Sequence, residues 1–159
     1  MCQTNSCKLP PGARICYKVV LEKKIGGKPE FRSPYQNCKF ESGGTYTIKR
    51  GSEPGGQAVY DRLSWLRCGS ICNFGIGEKA IHSFVSLDDA KAFRAELVEK
   101  GHRAKKCHIL ECEIPENAVY VFQGDFTYYK QGGRKTETGK SYASSALKVL
   151  GVVDCAVYG

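Results

Sequence analysis

One helical pattern among many short β-rich segments constrains the fold of this chain most. Ser86 is a typical N-cap residue, and Asp88 and Asp89 follow it in the first turn, where the helix dipole favours negative charge. Gly101 is placed to end the helix at the C′ position. An apolar stripe at helical spacing joins these two signals, and its members are Ala90, Phe93, Leu97 and Val98. The pattern predicts one clear helix over about 87–100.

The rest of the apolar residues lie mostly in short segments rich in β-branched and aromatic side chains, bounded by glycine or proline. The predicted strands are 15–22, 45–49, 80–84, 105–114, 118–122 and 147–153. Residues 23–34 are predicted to form a turn or a long hairpin loop, 51–57 form a loop, and 58–68 form either a short helix or a strand. Several strands with one helix predict an α+β fold.

Length and composition indicate one folded domain over 1–159. The chain has 159 residues, of which 42% are hydrophobic and 25% are charged, and these values exclude wholesale disorder. No apolar run reaches the length of a membrane helix, so no membrane partner is expected. Residues 1–12 are predicted to be an irregular leader that ends at Pro10-Pro11-Gly12. This polar start does not resemble a secretory signal, which predicts a cytoplasmic location.

The positive charge of the chain favours an anionic partner. Lys and Arg number 24 against 16 Asp and Glu, a net charge of +8. The charge is spread in short pairs, among them Lys23-Lys24 and Lys105-Lys106. One loop interleaves rings with cations: Phe126, Tyr128, Tyr129, Lys130, Arg134 and Lys135. Such a loop either binds nucleic acid or forms a plain hairpin with aromatic cross-strand pairs, so a basic nucleic-acid-binding module is one alternative function.

Nine cysteines without a secretory signal predict reduced thiols. Cys107 and Cys112 are predicted to face opposite sides of a strand, with Cys112 buried beside Leu110 and Ile114. A four-cysteine zinc site remains open for the pairs Cys2–Cys7 and Cys68–Cys72, although zinc is not expected because neither pair has the C-x2-C spacing. Removal of Met1 would also make Cys2 an N-terminal nucleophile, a further alternative function.

The run Ile81-His82-Ser83-Phe84-Val85-Ser86, followed by Ala90 and Phe93, resembles the second motif of ADP-ribosyltransferase-like domains. The segment 107–118 (CHILECEIPENA) is similar to the strand and proline turn that those domains place next. The order of motifs also resembles short proteins of gut Bacteroides-type bacteria and their phages, to which no activity is assigned. That likeness covers the MC…C start, the CYKV strand, Ser33-Pro34-Tyr35, the HSF strand, the IP turn and Tyr142-Ala143-Ser144.

The transferase resemblance implies a split, mostly antiparallel sheet that holds NAD or a related nucleotide at three signature positions. The first position, normally Arg or His, is Tyr17-Lys18 here, and the second is Ser83 or Ser86. The third, normally a Glu that stabilises the ribosyl cation, falls in the segment 141–145, which has no carboxylate. Catalysis is therefore expected to be degenerate or absent, and no catalytic residue is assigned.

These observations predict a ligand site formed by His82, Ser83, Ser86 and Tyr142. His82 is predicted to line a cleft beside the helix N-terminus and help hold a phosphate, or else to be a half-buried strand histidine with one hydrogen bond. The predicted function is that of a small bacterial or phage accessory protein that binds a nucleotide-like ligand or a host protein. Its location would be the host-cell cytoplasm if the chain is phage-encoded.

Overall fold

A computed structural model describes residues 4–33, 39–47, 80–129 and 136–154. The described residues form ten strands, one α-helix and a 3-10 turn at Ala104–Lys106. The strands are β1 (Thr4–Lys8), β2 (Arg14–Ile25), β3 (Lys28–Arg32), β4 (Lys39–Phe40), β5 (Thr45–Thr47), β6 (Ile81–Phe84), β7 (Cys107–Ile114), β8 (Val121–Tyr129), β9 (Thr136–Ser144) and β10 (Ala146–Asp154), and the helix is α1 (Leu87–Glu99). The segments predicted over 51–57 and 58–68 lie outside the described residues.

All ten strands belong to one sheet, and neighbouring strands run antiparallel. The order is β1-β8-β9-β6-β2-β7-β10-β5, with β3 paired to β2 and β4 paired to β3. The long central strand β2 pairs with β7 over Arg14–Leu21 and meets β6 at Tyr17. The predicted α+β class, with a mostly antiparallel sheet, is confirmed.

Side chains of β2 alternate between two apolar clusters, one on each side of the sheet. Val19 and Leu21 face α1 and pack with Phe84, Phe93 and other residues of what we call the helix face. Cys16 and Val20 point the other way into a second cluster, on what we call the Cys16 face. Both faces of the central strands are therefore buried. This explains why apolar residues occupy consecutive positions in these strands and not only alternate ones.

Helix α1 forms where the sequence predicts it. The Ser86 hydroxyl accepts a hydrogen bond from the Asp89 N–H at 3.1 Å, which caps the N-terminus. Gly101 has φ +106°, and the His102 N–H bonds back to the Leu97 carbonyl, so the helix ends at the predicted glycine. Its apolar stripe covers β2, β6, β7 and β8. No helix of the described residues is long and apolar enough to cross a membrane.

The segment 23–34 differs from the predicted turn or long hairpin loop. Strand β2 continues to Ile25, and β3 starts at Lys28, so the loop has two residues. Gly26 and Gly27 both have positive φ, +61° and +82°, the requirement of a type I′ turn. The two glycines therefore allow a tight hairpin turn. A type I or type II turn at this position would splay the two strands apart.

The leader and the region after 118 also differ from expectation. Residues Thr4–Lys8 of the predicted irregular leader form β1, which pairs with β8 and covers what would otherwise be an edge of the sheet. The strand predicted over 118–122 starts at Val121 and runs to Tyr129, where it pairs with β9. Phe126 of the predicted ring-and-cation loop lies buried against the helix face, while residues 130–135 lie outside the described residues.

Candidate functional site

The structure brings two of the four predicted site residues together. Ser83 on β6 lies directly opposite Tyr142 on β9, and both side chains point to the Cys16 face. His82 precedes Ser83 on the same strand, so its side chain points to the helix face. Ser86 caps α1. The four residues therefore do not line a single pocket.

A third polar side chain, Lys18 of β2, joins Ser83 and Tyr142. The pairing of Tyr17 with Phe84 places Lys18 beside Ser83, one position further along the strands. The Lys18 Nζ donates to the backbone carbonyl of His82 at 2.6 Å. Lys18, Ser83 and Tyr142 thus lie on three adjacent strands with their side chains on one face, and we call them the Lys18–Ser83–Tyr142 row.

The row is buried. The exposed fractions of Lys18, Ser83 and Tyr142 are 7%, 0% and 7%. The Lys18 ammonium also lies 5.3 Å from the centroid of the Phe40 ring, a cation–π distance. The Ser83 hydroxyl oxygen is buried and makes no hydrogen bond of normal geometry with the described residues. A buried hydroxyl without a partner costs about 1–3 kcal/mol, so Ser83 is a polar group that gains stability from any hydrogen-bond partner it meets.

A second cation lies near the row. The Arg14 guanidinium donates from Nη2 to the Pro10 carbonyl at 2.9 Å, and its Nε is buried without a hydrogen-bond partner in the described residues. Burial raises the pKa of Tyr142, and the nearby Arg14 charge lowers it by a smaller amount. Tyr142 is therefore a neutral phenol at neutral pH and can donate a hydrogen bond. Two cations and two hydroxyls favour an anionic, hydroxyl-rich ligand.

The Cys16 thiol, which lies beside the row, is not a reactive nucleophile. Cys16 pairs directly with Cys112 across β2 and β7, and both are fully buried. Burial raises the pKa of Cys16 to about 12, although the nearby Ser83 hydroxyl and the charge of Lys18 both act to lower it. A thiol in this state does not supply a nucleophilic thiolate near neutral pH. Cys2, the nucleophile of one alternative function, lies outside the described residues.

The cysteines of β7 behave as predicted. Cys107 packs in the helix-face cluster, whereas Cys112 packs on the Cys16 face with Leu110 and Ile114, because residues five apart on a strand point to opposite sides. Within the described ranges, no three His, Cys, Asp or Glu side chains group closely enough to hold a metal ion. Of the pairs Cys2–Cys7 and Cys68–Cys72, only Cys7 is described, and it is exposed.

Polar groups at the N-terminus of α1 form hydrogen bonds within the protein. Ser86 Oγ accepts the Asp89 N–H, and the Asp89 carboxylate in turn accepts the Lys140 N–H of β9 at 3.1 Å. The first contact satisfies one helix donor, and the second holds the Asp89 carboxylate in the first turn, where it would repel a phosphate. His82 is half-buried and contributes its backbone carbonyl to Lys18. The predicted phosphate site at the helix N-terminus is therefore not assembled in this structure.

A separate cleft of about 490 Å³ lies at the base of the β2–β3 hairpin, beside Phe40. Its lining residues are Glu22, Lys28, Pro29, Glu30, Phe31, Lys39, Phe40, Glu41 and Ser42. Most charges here are already paired: Glu30 contacts Arg32 at 2.7 Å and Lys39 at 3.3 Å. The cleft was not predicted because β3 and β4, which form it, were not recognised as strands.

No protein-family model, curated protein or solved structure matches this chain. The chemistry of the row therefore rests on its own residues. Sequence reasoning missed Arg14 and Cys16, although a usable signal was present. Cys16 and Lys18 alternate along the predicted strand 15–22 and so point to one face, whereas Arg14 lies just before that predicted strand and joins β2 only in the structure.

Proposed function

We propose that this protein binds a nucleotide-like ligand at the Lys18–Ser83–Tyr142 row and that its catalysis is degenerate or absent. One observation carries the proposal. Each of the three signature segments implied by the transferase resemblance contributes one residue, and these residues, Lys18, Ser83 and Tyr142, lie on the adjacent strands β2, β6 and β9 with their side chains on one face. A small bacterial or phage accessory protein in a reducing cytoplasm fits the buried thiols.

Each residue of the row has a clear role toward a nucleotide. The Lys18 ammonium, which donates to the His82 carbonyl, would provide a charge-assisted hydrogen bond to a phosphate oxygen. The Ser83 hydroxyl, which has no normal partner among the described residues, gains one from a phosphate or ribose oxygen. Tyr142 offers a neutral hydroxyl and a ring. Arg14 adds positive charge at the edge of the row.

The third signature position of the transferase resemblance is the reason why we propose ligand binding without group transfer. Tyr142 occupies the segment in which the resemblance places a glutamate, and a neutral phenol does not stabilise an oxocarbenium-like state as a carboxylate does. Its raised pKa keeps the phenol protonated at neutral pH. The proposed site is therefore one that recognises a nucleotide and lacks the charge needed to break its glycosidic bond.

Entry of the ligand requires movement on the Cys16 face. Phe40 packs over Lys18 and against the Tyr46 ring, with 4.9 Å between the two ring centroids. The Tyr46 hydroxyl accepts the Glu41 N–H, which ties the end of β4 to β5. A ligand that reaches Lys18 must displace the Phe40 ring, so association should be slower than the diffusion-limited rate.

Isothermal titration calorimetry with ADP-ribose and with NAD tests the proposal. Ser83→Ala and Tyr142→Phe each remove one hydroxyl, and we expect the affinity to fall about tenfold or more because a hydrogen bond to a charged ligand is lost. Ser83→Ala should change the Tm by less than about 2 °C, since the protein itself loses no hydrogen bond of normal geometry.

Ser141→Ala is the matched control. Ser141 is also fully buried and neighbours Tyr142 on β9, but its side chain points to the helix face. This variant should bind with the affinity of the unaltered protein. Equal affinity of the unaltered protein and Ser83→Ala, or no heat of binding with either ligand, would overturn the proposed function.

A further inference from the structure

Two basic segments that are distant in sequence meet at one end of the sheet. The tip of the β2–β3 hairpin carries Lys23, Lys24 and Lys28, and the connection between α1 and β7 spans 100–106 (KGHRAKK). In the sequence these segments are separated by more than 70 residues, so the positive charge looks dispersed. Strand pairing brings them together, because Leu21 of β2 lies opposite Cys107 at the start of β7.

Direct contacts join the two segments at their base. The Lys106 Nζ donates to the Glu22 carboxylate at 2.9 Å, and the 3-10 turn before β7 packs on β2. We call the surface formed by these segments the basic end. Its cations are Lys23, Lys24, Lys28, Lys100, Arg103, Lys105 and Lys106, and the exposed His102 lies among them.

The carboxylates of the basic end offset only part of its charge. Glu22 binds Lys106, and the buried Glu96 binds Lys100 at 3.0 Å. The pKa of Glu22 is lowered chiefly by its hydrogen bond with Lys106, so this carboxyl group is ionised at neutral pH. The exposed cations outside these two ion pairs include Lys24, Lys28, Arg103 and Lys105. A surface with this excess attracts a polyanion.

Both segments hold a defined backbone shape. The hairpin has a two-residue turn at Gly26 and Gly27, which fixes the spacing of the lysines on either side. The α1–β7 connection is ordered by two backbone hydrogen bonds, from His102 N–H to the Leu97 carbonyl at 3.1 Å and from Lys106 N–H to the Arg103 carbonyl at 2.9 Å. Preorganised cations lose less entropy on binding than cations on a flexible tail.

We propose that the basic end binds the phosphate backbone of a nucleic-acid duplex without reading its sequence. The basic end contains no Phe, Tyr or Trp, so it has no ring on which unpaired bases would stack, and a duplex is favoured over a single strand. The large apolar side chains that are exposed on the described residues are Ile15, Val119, Leu150, Val152 and Val153. None of these described side chains belongs to the basic end.

Fluorescence anisotropy with a labelled 20-base-pair DNA duplex, measured over about 50–200 mM KCl, tests this inference. The logarithm of the association constant should fall linearly with the logarithm of salt concentration. The double variant Lys24→Gln/Lys28→Gln should weaken binding about tenfold or more and reduce the magnitude of the salt slope by about two, one for each phosphate contact removed. Arg103→Gln/Lys105→Gln should act in the same way.

Lys8→Gln/Lys148→Gln is the matched control, because it removes the same charge from exposed residues on β1 and β10. It should lower the affinity by less than about threefold. An equal loss in the control would show that net charge alone attracts the duplex, and tighter binding to vesicles rich in phosphatidylserine than to the duplex would show a lipid partner. Either result, or no duplex binding at 50 mM KCl, would overturn the inference. Ser83→Ala keeps the basic end intact and should bind the duplex normally, so the two proposals fail independently.

Discussion

Burial determines the protonation state of individual residues in and beside the Lys18–Ser83–Tyr142 row. Cys16 and Cys112 lie opposite each other in an apolar cluster, and desolvation of the thiolate is the largest cause of the raised pKa of both. The same burial keeps Tyr142 protonated. The row is therefore a set of neutral hydroxyls beside fixed cations, which suits recognition of an anion better than covalent chemistry.

The raised pKa of Cys16 predicts a loss of stability at alkaline pH. The pKa rises from 9.0 in the unfolded chain to about 12 in the folded protein, so above pH 9 the unfolded state releases a proton that the folded state keeps. The free energy of unfolding should then fall by about 1.4 kcal/mol per pH unit between these values for this thiol alone. Urea unfolding at pH 8 and pH 10 measures the effect.

Cysteine variants separate this contribution from other groups that titrate at high pH. Cys16→Ala should have lower stability at pH 8 because a buried side chain is truncated, but a flatter dependence on pH. Cys7→Ala, which alters an exposed residue, should keep the steep dependence. A Cys16→Ala variant whose stability falls as steeply as that of the unaltered protein would show that the buried thiol does not cause the loss.

At the scale of single residues, Ser83 and Tyr142 were predicted as ligand residues, but the side chains that lie beside them in the structure, Arg14 and Cys16, were not. Alternation along β6 gives His82 and Ser83 opposite directions, but the sequence alone does not say which of them points to the Cys16 face. Lys18 entered the prediction only as a departure from an expected Arg or His. Its position beside Ser83 depends on the register between β2 and β6, which no local pattern encodes.

At the scale of secondary-structure elements, the contact between α1 and β9 holds the helix face together. Asp89 in the first turn of the helix accepts the Lys140 N–H, and Phe126 packs beneath Gly139. Absence of a side chain at Gly139 allows this close approach. A β-carbon there would lie 2.5 Å from the Phe126 ring and 2.8 Å from the Asp89 carboxylate. This glycine is required by packing, since no positive φ is recorded for it.

Gly139→Ala is therefore expected to lower the free energy of unfolding by about 1–3 kcal/mol, because the buried Phe126 ring or the helix must shift. Urea unfolding at neutral pH measures the change. Gly151→Ala on β10 is the matched control, since the nearest atom to its added β-carbon would be 4.0 Å away. It should alter stability by no more than about 0.5 kcal/mol. Equal stability of the two variants would contradict the packing described here.

Local signals predicted some elements well and others poorly. The helix was predicted closely because Ser86 and Gly101 mark its two ends. β1 was missed because its segment is polar and short, and its strand conformation depends on pairing with β8. The tight hairpin at Gly26-Gly27 was read as a turn or longer loop, although two adjacent glycines between β-rich segments are a known signal for a type I′ turn.

At the scale of the whole molecule, strand order creates both proposed sites. The order β9-β6-β2 places Tyr142, Ser83 and Lys18 side by side, and the pairing of β2 with β7 joins the two basic segments. Neither arrangement follows from composition, since the same net charge of +8 can be distributed over a surface in many ways. The two proposed sites are also distinct. The Lys18–Ser83–Tyr142 row is buried in the centre of the sheet, whereas the basic end is exposed at one end of it.

Chemical-shift mapping of the ¹⁵N-labelled protein with ADP-ribose would locate the ligand without a substitution. If the ligand binds at the Lys18–Ser83–Tyr142 row, the largest amide shift changes will occur at 16–18 on β2, at 82–84 on β6 and at 141–143 on β9, with smaller changes near Phe40. Changes confined to the hairpin tip and the segment 100–106 would show that the ligand binds only as a phosphate at the basic end. That result, or no change at millimolar ligand, would contradict the assignment of the Lys18–Ser83–Tyr142 row as the ligand site.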